Sequence, residues 1–277
     1  MRLPRDDVNQ RMRNIIEYYE RNYREDVRLQ NDAGVLELAR TQDILRRFLP
    51  DPPAMVLDIG GGPGVYASWL ASLGFEVCLL DPVPRHLVHA RDSLGVGGVV
   101  FGDARELPFA SQSADAALLL GPLYHLIERQ DRIAALAEAR RVLRADGVMV
   151  AAGISRFASL LDGVTTGAID DPVFQRIVAQ DLRDGQHRSE SDRPEYFTTA
   201  YFHHPEELRG EALEAGFIDP EIIAVEGPVW IAPDFQERWR DPERRAVLLE
   251  LAKAVEREPS LLGLSLHFLV ICGGAKR

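Results

Sequence analysis

The spacing of hydrophobic and polar positions differs between the N-terminal residues and the part of the chain that follows. Residues 11–49 repeat apolar positions at helical spacing up to the sequence PDPP, which predicts an N-terminal helical cap over residues 1–50. Beyond it, short apolar runs alternate with helical stretches, and near-continuous apolar strands of this kind are typical of a parallel sheet covered on both faces. We therefore predict an α/β fold with a doubly wound, mainly parallel sheet that begins in residues 51–153.

The rhythm changes after this core. Residues 154–204 carry several polar turns and no regular alternation, which predicts a mobile insertion or lid. A helix over residues 205–215, the strand candidate FIDPEIIAV, a helical insertion within residues 234–257 and the strand candidate SLHFLVICGG follow, and they bring the strand candidates to seven. We expect a single domain over residues 1–277, in which residues 205–277 complete the sheet.

The composition narrows the class of protein. The chain has 277 residues, 46% of them hydrophobic, and its net charge of -11 argues against a nucleic-acid partner. The apolar stretch near residues 261–274 is too short to span a bilayer, and His267 interrupts it. Cys78 and Cys272 stand in apolar runs, as expected of core thiols in a reducing compartment. We therefore expect a cytoplasmic protein without a membrane partner, and a homodimer stays open.

A glycine-rich segment, VLDIGGGPGVY, follows the first strand candidate. Its glycines let the backbone turn sharply and present N–H groups at the start of the next helix, which suits a nucleotide-like ligand; a tight turn without a ligand is the alternative. The dinucleotide fingerprint does not fit, because Val65 stands at its third glycine position, and no lysine follows as a phosphate-binding loop requires. The pattern to explain is therefore D-x-G-x-G-x-G, which starts at Asp58.

Five segments together carry a family resemblance. They are VLDIGGGPG, LLDPVPRHL, GDARELPF, ADAALLLGPLYHL and RRVLRADGVMV, in this order along the chain. From about residue 54 to 153 the sequence resembles the class I S-adenosylmethionine-dependent methyltransferases and, more closely, the bacterial type 11 group that acts on small molecules. The resemblance implies a Rossmann-like, seven-stranded fold and S-adenosyl-L-methionine as the cofactor.

The resemblance also implies which residues bind the cofactor. Asp81 closes the second strand, where two carboxylate oxygens suit the vicinal ribose hydroxyls; the alternative is a cap for the helix that starts near Pro84. Asp103 and the backbone of Ala104 would recognise the adenine amino edge, unless Asp103 is only a turn residue. Asp58 would lie beneath the methionine moiety, where it contacts the ammonium or, as the alternative, has a structural role that orients the loop. The full predicted set is Tyr19, Asp58, Gly60, Gly61, Gly62, Gly64, Asp81, Pro82, Asp103, Ala104 and Leu120.

Catalysis and acceptor binding depend on fewer signals. A sulfonium leaving group is already activated, so a general base is optional, and His125 after the fourth strand is the candidate for base or substrate contact. Tyr124 would line the acceptor pocket, although at least one of this adjacent pair is expected to be structural. Tyr201 and His203 are predicted lid contacts to the acceptor, with a hydrophobic staple as the alternative for their segment. We expect no metal site, because adjacent histidines cannot both ligate one ion and no acidic cluster is evident.

Other classes of protein fit the sequence less well. A short-chain dehydrogenase requires a tyrosine with a lysine four residues on, and the two lysines, Lys253 and Lys276, both lie in the last 25 residues. Enzymes that methylate adenine in nucleic acids carry an Asn/Asp-Pro-Pro-aromatic motif after the fourth strand, where this chain has LGPLYHL. We therefore predict transfer of a methyl group to an oxygen or nitrogen atom of a small molecule. A protein or RNA acceptor, and a non-catalytic cofactor-binding protein, remain the alternatives.

Overall fold

Strands and helices alternate through the first part of the protein. The computed structural model describes residues 16–20, 29, 34–93, 98–188 and 196–273. Residues 16–20 are helical, and the rest of the predicted cap before residue 34, apart from Leu29, lies outside the described residues. The elements that follow are α1 Gly34–Phe48, β1 Met55–Ile59, α2 Val65–Ser72, β2 Glu76–Asp81, α3 Pro84–Ser93, β3 Gly98–Phe101, β4 Ala114–Leu119, α4 Arg129–Val142 and β5 Leu143–Ser155.

The second part contains more regular structure than its sequence pattern predicted. The segment 154–204, expected to be an irregular lid, forms two helices and two short strands, although residues 189–195 lie outside the described part. The sequence pattern did not predict these helices because polar turns interrupt the helical spacing of their apolar residues. The elements are α5 Ala158–Thr166, α6 Pro172–Asp184, β6 Gln186–His187, β7 Ala200–His203, α7 Pro205–Glu214, β8 Glu221–Ala224, α8 Phe235–Arg240, α9 Pro242–Ala254 and β9 His267–Cys272.

The sheet confirms the predicted doubly wound α/β architecture. Strands β3, β2, β1, β4 and β5 pair in this order and run parallel, while β9 pairs antiparallel with both β5 and β8. Within the described residues the sheet has nine strands rather than the predicted seven, because β7 pairs with the end of β5 and β6 pairs with β7. Since the carboxyl ends of parallel strands share one edge, Asp58 near the end of β1 and Asp81 at the end of β2 are brought together there.

Alternate strand residues feed two hydrophobic layers, one on each face of the sheet. Leu57 and Met149 pack on one face under α4 and α7, whereas Val56 and Val148 pack on the other under α1 and α2. Burial on both faces explains why the strands are almost continuously apolar. No helix in the described part of the chain is long and apolar enough to cross a membrane.

Buried ion pairs fix helix α1 beside the carboxyl edge of the sheet. Arg40 is 1% exposed, and its Nη2 atom donates to Glu256 Oε2 at 2.5 Å while its Nε atom donates to the carbonyl of Val225 at 3.2 Å. Arg47 donates to the same carboxylate at 2.7 Å. Because a broken buried pair leaves an uncompensated charge, these contacts hold the residues of α1 in one position beside the carboxyl edge of the sheet.

Candidate active site

The glycine loop between β1 and α2 is held on both sides. The Gly60 N–H donates to the Leu80 carbonyl at 2.6 Å, and the Gly62 N–H donates to Asp81 Oδ2 at 2.9 Å. Gly60 has a φ of +70°, and a Cβ atom there would lie 2.9 Å from Pro122 Cδ. The loop therefore needs glycine both for its backbone conformation and for close packing against the segment after β4.

A cavity that is partly open to solvent lies against this loop at the carboxyl ends of the strands. Most of the residues predicted to bind the cofactor line it, whereas Gly64 stands outside the lining, at the start of α2. Tyr124 and His125 line the cavity as well. The lining members of the predicted cofactor set are Tyr19, Asp58, Gly60, Gly61, Gly62, Asp81, Pro82, Asp103, Ala104 and Leu120.

Asp58 is a buried acid whose hydrogen bonding is incomplete. Its side chain is 1% exposed, and Oδ2 has no hydrogen-bond partner. Burial, followed by the charge of Asp81, raises the pKa of Asp58 to about 7, against the opposing effect of the Ala67 backbone. An unsatisfied carboxylate oxygen beside a cavity favours a ligand that carries a hydrogen-bond donor, and a positive charge most of all.

Asp81 is oriented by the backbone around it. Its Oδ1 atom accepts a hydrogen bond from the Val83 N–H at 2.8 Å and lies 3.1 Å from His86 Nδ1, while Oδ2 accepts from Gly62. The carboxylate thus caps the turn that leads into α3, the alternative considered from the sequence, and it also lines the cavity. A carboxylate offers about four acceptor sites, so these three contacts leave about one site for a ligand hydroxyl group.

Asp103 is clamped by the arginine two residues further on. Arg105 Nη2 donates to Asp103 Oδ2 at 2.6 Å, and the Arg105 N–H donates to Oδ1 at 2.9 Å. Burial alone would raise the pKa of Asp103, but the hydrogen bonds and charge of Arg105 hold it below its ordinary value. Asp103 therefore presents an ionised carboxylate to the cavity, next to the buried Ala104.

His125 lies deep in the site and is neutral at neutral pH. Its Nε2 atom is 2.7 Å from the Tyr19 hydroxyl, and its Nδ1 atom is buried without a hydrogen-bond partner. Burial lowers the pKa of His125 to about 4, although the Thr199 backbone and the charge of Asp81 act in the opposite direction. A histidine of this kind accepts a hydrogen bond well but holds a proton weakly.

Tyr201 and His203, predicted to contact the acceptor, are not brought to the cavity. His203 is fully buried with Nε2 3.3 Å from Glu211 Oε2, and the Arg132 guanidinium lies 3.7 Å from the centre of the Tyr201 ring. Arg132 Nη2 in turn donates to Glu211 at 2.7 Å. This network joins β7 to α4 and α7, so the two side chains hold the insertion against the sheet.

Several lining residues were not identified from the sequence. Glu37 and Thr41 come from α1, His86 from α3 and His267 from the start of β9. The interruption of an apolar run by His267 was a visible signal, whereas Glu37 resembles the other acids of an amphipathic helix. Among the described residues that line the cavity there are four acids and three histidines, and neither lysine nor arginine: Glu37, Asp58, Asp81, Asp103, His86, His125 and His267.

Part of the chain is similar to known methyltransferases. A family described as a methyltransferase domain matches residues 57–151, from β1 into β5. Among curated proteins, an uncharacterized methyltransferase of Mycobacterium tuberculosis is 34% identical over 100 residues, which are 36% of this chain and 40% of the relative. The matching part therefore spans less than half the length of that protein.

Two solved structures share the fold at low sequence identity. An S-adenosylmethionine-dependent methyltransferase from Mesorhizobium loti gives a TM-score of 0.56 at 18% identity and covers 86% of this chain and 99% of its own. A structure from Thermotoga maritima, described as a possible histamine N-methyltransferase, gives 0.55 at 18% identity over 96% of this chain and 99% of that one. At these identities the likeness shows the fold alone.

Proposed function

Because this chain belongs to the class I S-adenosylmethionine-dependent methyltransferases, we propose that it transfers a methyl group from S-adenosylmethionine to an oxygen or nitrogen atom of a small molecule. The observation that carries the proposal is the single cavity in which Asp58, Asp81 and Asp103 surround a glycine loop. The acceptor would enter the same cavity from the end that Glu37 and His267 line.

The residues present fit the cofactor. The unpartnered Oδ2 of Asp58 suits the ammonium of the methionine moiety, and Asp81 keeps an acceptor site for a ribose hydroxyl. A Cβ atom on Gly61 would lie 2.5 Å from Asp58 Oδ2, so a side chain there would displace the carboxylate that this role requires. Asp103 and Ala104 would hold the adenine end.

The lining of the cavity as a whole indicates the kind of acceptor. Its walls are mostly apolar and include Tyr66, Ala152, Val225 and Leu269. Because the described lining has no lysine or arginine, it offers no cation to pair with a carboxylate or phosphate group. A neutral or cationic small molecule with an apolar body fits these walls best.

When bound, S-adenosylmethionine supplies a methyl group on a positively charged sulfur, so the protein has mainly to align the acceptor and exclude water. Tyr19 and His125 close the cofactor end through their hydrogen bond, which joins the helical residues 16–20 to the segment after β4. With its pKa near 4, His125 suits the role of a hydrogen-bonding contact, the second of its two predicted roles.

Calorimetric titration tests the cofactor claim. We expect S-adenosylmethionine and S-adenosylhomocysteine to bind saturably, and Asp81→Ala to weaken binding by at least about 10-fold, as expected for the loss of charge-assisted hydrogen bonds. Asp92→Ala, an exposed acid on α3, is the matched control and should bind like the wild type. If neither ligand binds, or if Asp81→Ala binds normally, the proposed site is wrong.

A radiolabelled methyl donor tests the transfer itself. We expect label from S-adenosylmethionine to pass to hydroxyl or amino compounds such as phenol or benzylamine in preference to benzoate. Saturable binding of the cofactor with no transfer to any small acceptor would favour the non-catalytic alternative.

A further inference from the structure

A second histidine of the cavity is held by a buried carboxylate. Glu226 is fully buried, and its Oε1 atom lies 2.7 Å from His267 Nδ1. Its Oε2 atom accepts hydrogen bonds from the Ser265 hydroxyl at 2.7 Å and from the His267 N–H at 2.9 Å. The Ser265 oxygen accepts from the N–H groups of Glu226 and Gly227, so the carboxylate cannot turn away.

From this geometry we propose that His267 is the general base that takes the proton from the acceptor, an assignment that rests on the proposed methyl transfer. An ionised carboxylate only accepts hydrogen bonds, so the contact with Glu226 places the proton of the neutral ring on Nδ1. The basic lone pair is then on Nε2. A carboxylate behind a histidine fixes the tautomer and stabilises the imidazolium that forms.

The position of His267 suits this role. It is the first residue of β9 and pairs with Ile154 at the carboxyl end of β5, which places it at the sheet edge that carries the site. Its side chain lines the cavity together with Ala152 and Leu269. The Glu37 carboxylate, on α1, lies 3.7 Å from Nδ1 and adds a second negative charge beside the ring.

His125 is the weaker candidate for this step. Its ring has no carboxylate behind it, since Nε2 contacts the Tyr19 hydroxyl and Nδ1 is unsatisfied. Burial moreover lowers the pKa of His125 to about 4, so its ring is too weak a base to hold the acceptor's proton near neutral pH. The two histidines therefore have different roles in this proposal. His125 contacts ligands, and His267 accepts the proton.

The same side chains have a geometry that a metal ion would also use. One ligand-type atom from each of Glu37, Glu226 and His267 lies within 4.8 Å of the others. The Nδ1 atom, however, is within hydrogen-bond distance of Glu226, and it cannot donate that bond and ligate an ion at once. The hydrogen-bonded arrangement therefore favours the base.

The reaction balances with this residue alone as the base. The acceptor's proton moves to Nε2 of His267, and for an ammonium this transfer comes first because it frees the electron pair of the nitrogen. The acceptor oxygen or nitrogen gives an electron pair to the methyl carbon, and the pair of the broken carbon–sulfur bond stays on sulfur. The positive charge passes from sulfur to an imidazolium next to Glu226 and Glu37. An acceptor with a hydroxyl or an ammonium group supplies such a proton, whereas an ionised carboxylate does not.

Nitrogen-15 NMR of histidine-labelled protein tests the assignment without turnover. In protein saturated with S-adenosylhomocysteine, we expect the His267 signals, identified by their loss in His267→Asn, to show the tautomer with the proton on Nδ1. Phenol and benzylamine should shift the Nε2 signal saturably, and benzoate should not. If the protein binds S-adenosylhomocysteine but neither phenol nor benzylamine moves this signal, or if Zn²⁺ shifts it while they do not, His267 is not the base.

Kinetics provide the second readout, with whichever probe accepts the methyl group. His267→Asn keeps an amide N–H that can reach Glu226 but has no basic nitrogen, so we expect kcat to fall about 100-fold or more. The fall in kcat that the wild type shows at low pH should disappear in this variant, while its affinity for S-adenosylhomocysteine stays unchanged. His89→Asn, an exposed histidine on α3, is the control. Unchanged kcat and pH profile in His267→Asn would overturn the inference, whereas loss of all cofactor binding in the wild type would overturn the proposed function instead.

Discussion

The hydroxyl oxygen of Tyr19 lies 2.7 Å from Nε2 of His125, and the two rings meet edge to face with their centroids 5.4 Å apart. Tyr19 also packs on Val83 and on the His86 ring, so one side chain touches the segments that follow both β2 and β4. Through Tyr19, the helical residues 16–20 thus line the cavity beside the segments that follow β2 and β4. This contact keeps His125 in a buried position where its charged form is disfavoured.

The burial of His125 makes stability depend on pH. Because its folded pKa of about 4 lies below the ordinary value of 6.5, the unfolded chain binds more protons between these values than the folded chain does. Its contribution is complete above pH 6.5 and is lost as pH falls toward 4. Between pH 7 and pH 5 we expect the wild type to lose about 1 to 2 kcal/mol more unfolding free energy than His125→Phe.

Chemical denaturation at the two pH values measures this difference. Other titrating groups, including Asp58, are common to both proteins and cancel in the comparison. His89→Phe should change with pH as the wild type does, because the ring of His89 is exposed on α3. Equal pH dependence in the wild type and in His125→Phe would contradict the buried, neutral state of His125.

Asp58 should make cofactor binding depend on pH in a different way. Burial and the charge of Asp81 raise its pKa to about 7, so its negative charge appears as pH rises through neutrality. S-adenosylhomocysteine, which keeps its ammonium, should therefore bind more tightly at pH 8 than at pH 6. Asp58→Asn should weaken binding at pH 8 by about 10- to 100-fold, the usual loss for a hydrogen bond to a charged group, and should flatten the pH dependence.

Calorimetry at both pH values checks this prediction. Asp92→Asn, which changes an exposed acid outside the cavity, should retain the wild-type affinity and pH dependence. If Asp58→Asn binds S-adenosylhomocysteine as tightly as the wild type at pH 8, the unpartnered Oδ2 has no part in holding the ammonium.

Most residues predicted to bind the cofactor line one cavity, and the sequence indicated them because their signals are local. Asp81 is the last residue of β2 and Asp58 the last but one of β1, and parallel strands necessarily bring such residues to one edge of the sheet. The glycines that follow the first strand are also neighbours in the sequence, so they indicated the loop directly. The fold class followed from the same alternation of strands and helices, which the structure confirms.

The cluster of Glu37, Glu226 and His267 could not be predicted from the sequence, because these residues meet only through the tertiary fold. Glu226 and His267 are 41 positions apart and Glu37 comes from α1, so no spacing links the three. The same limit explains Tyr201 and His203. Their aromatic segment resembled a lid in sequence, but Arg132 and Glu211, from α4 and α7, draw it into a buried network outside the cavity.

The tight contact between Gly61 and Asp58 gives a further test of the loop. A methyl group on Gly61 would lie 2.5 Å from Asp58 Oδ2 and 2.8 Å from Leu79 Cδ1, and both side chains are buried, so they would have to shift within a packed core. We expect Gly61→Ala to lower the free energy of unfolding by about 1 to 3 kcal/mol through overpacking and to weaken binding of S-adenosylhomocysteine.

Gly210 provides the matched control, because an added Cβ atom there meets no atom within 4 Å. This glycine lies in helix α7, where alanine restricts the unfolded chain and suits the helix, so Gly210→Ala should raise the free energy of unfolding by about 0.5 to 1 kcal/mol. Denaturation and calorimetry on the two variants separate the effect of added bulk from that of losing a flexible residue. If both substitutions stabilise the protein and leave binding intact, the loop is not packed against Asp58 as described.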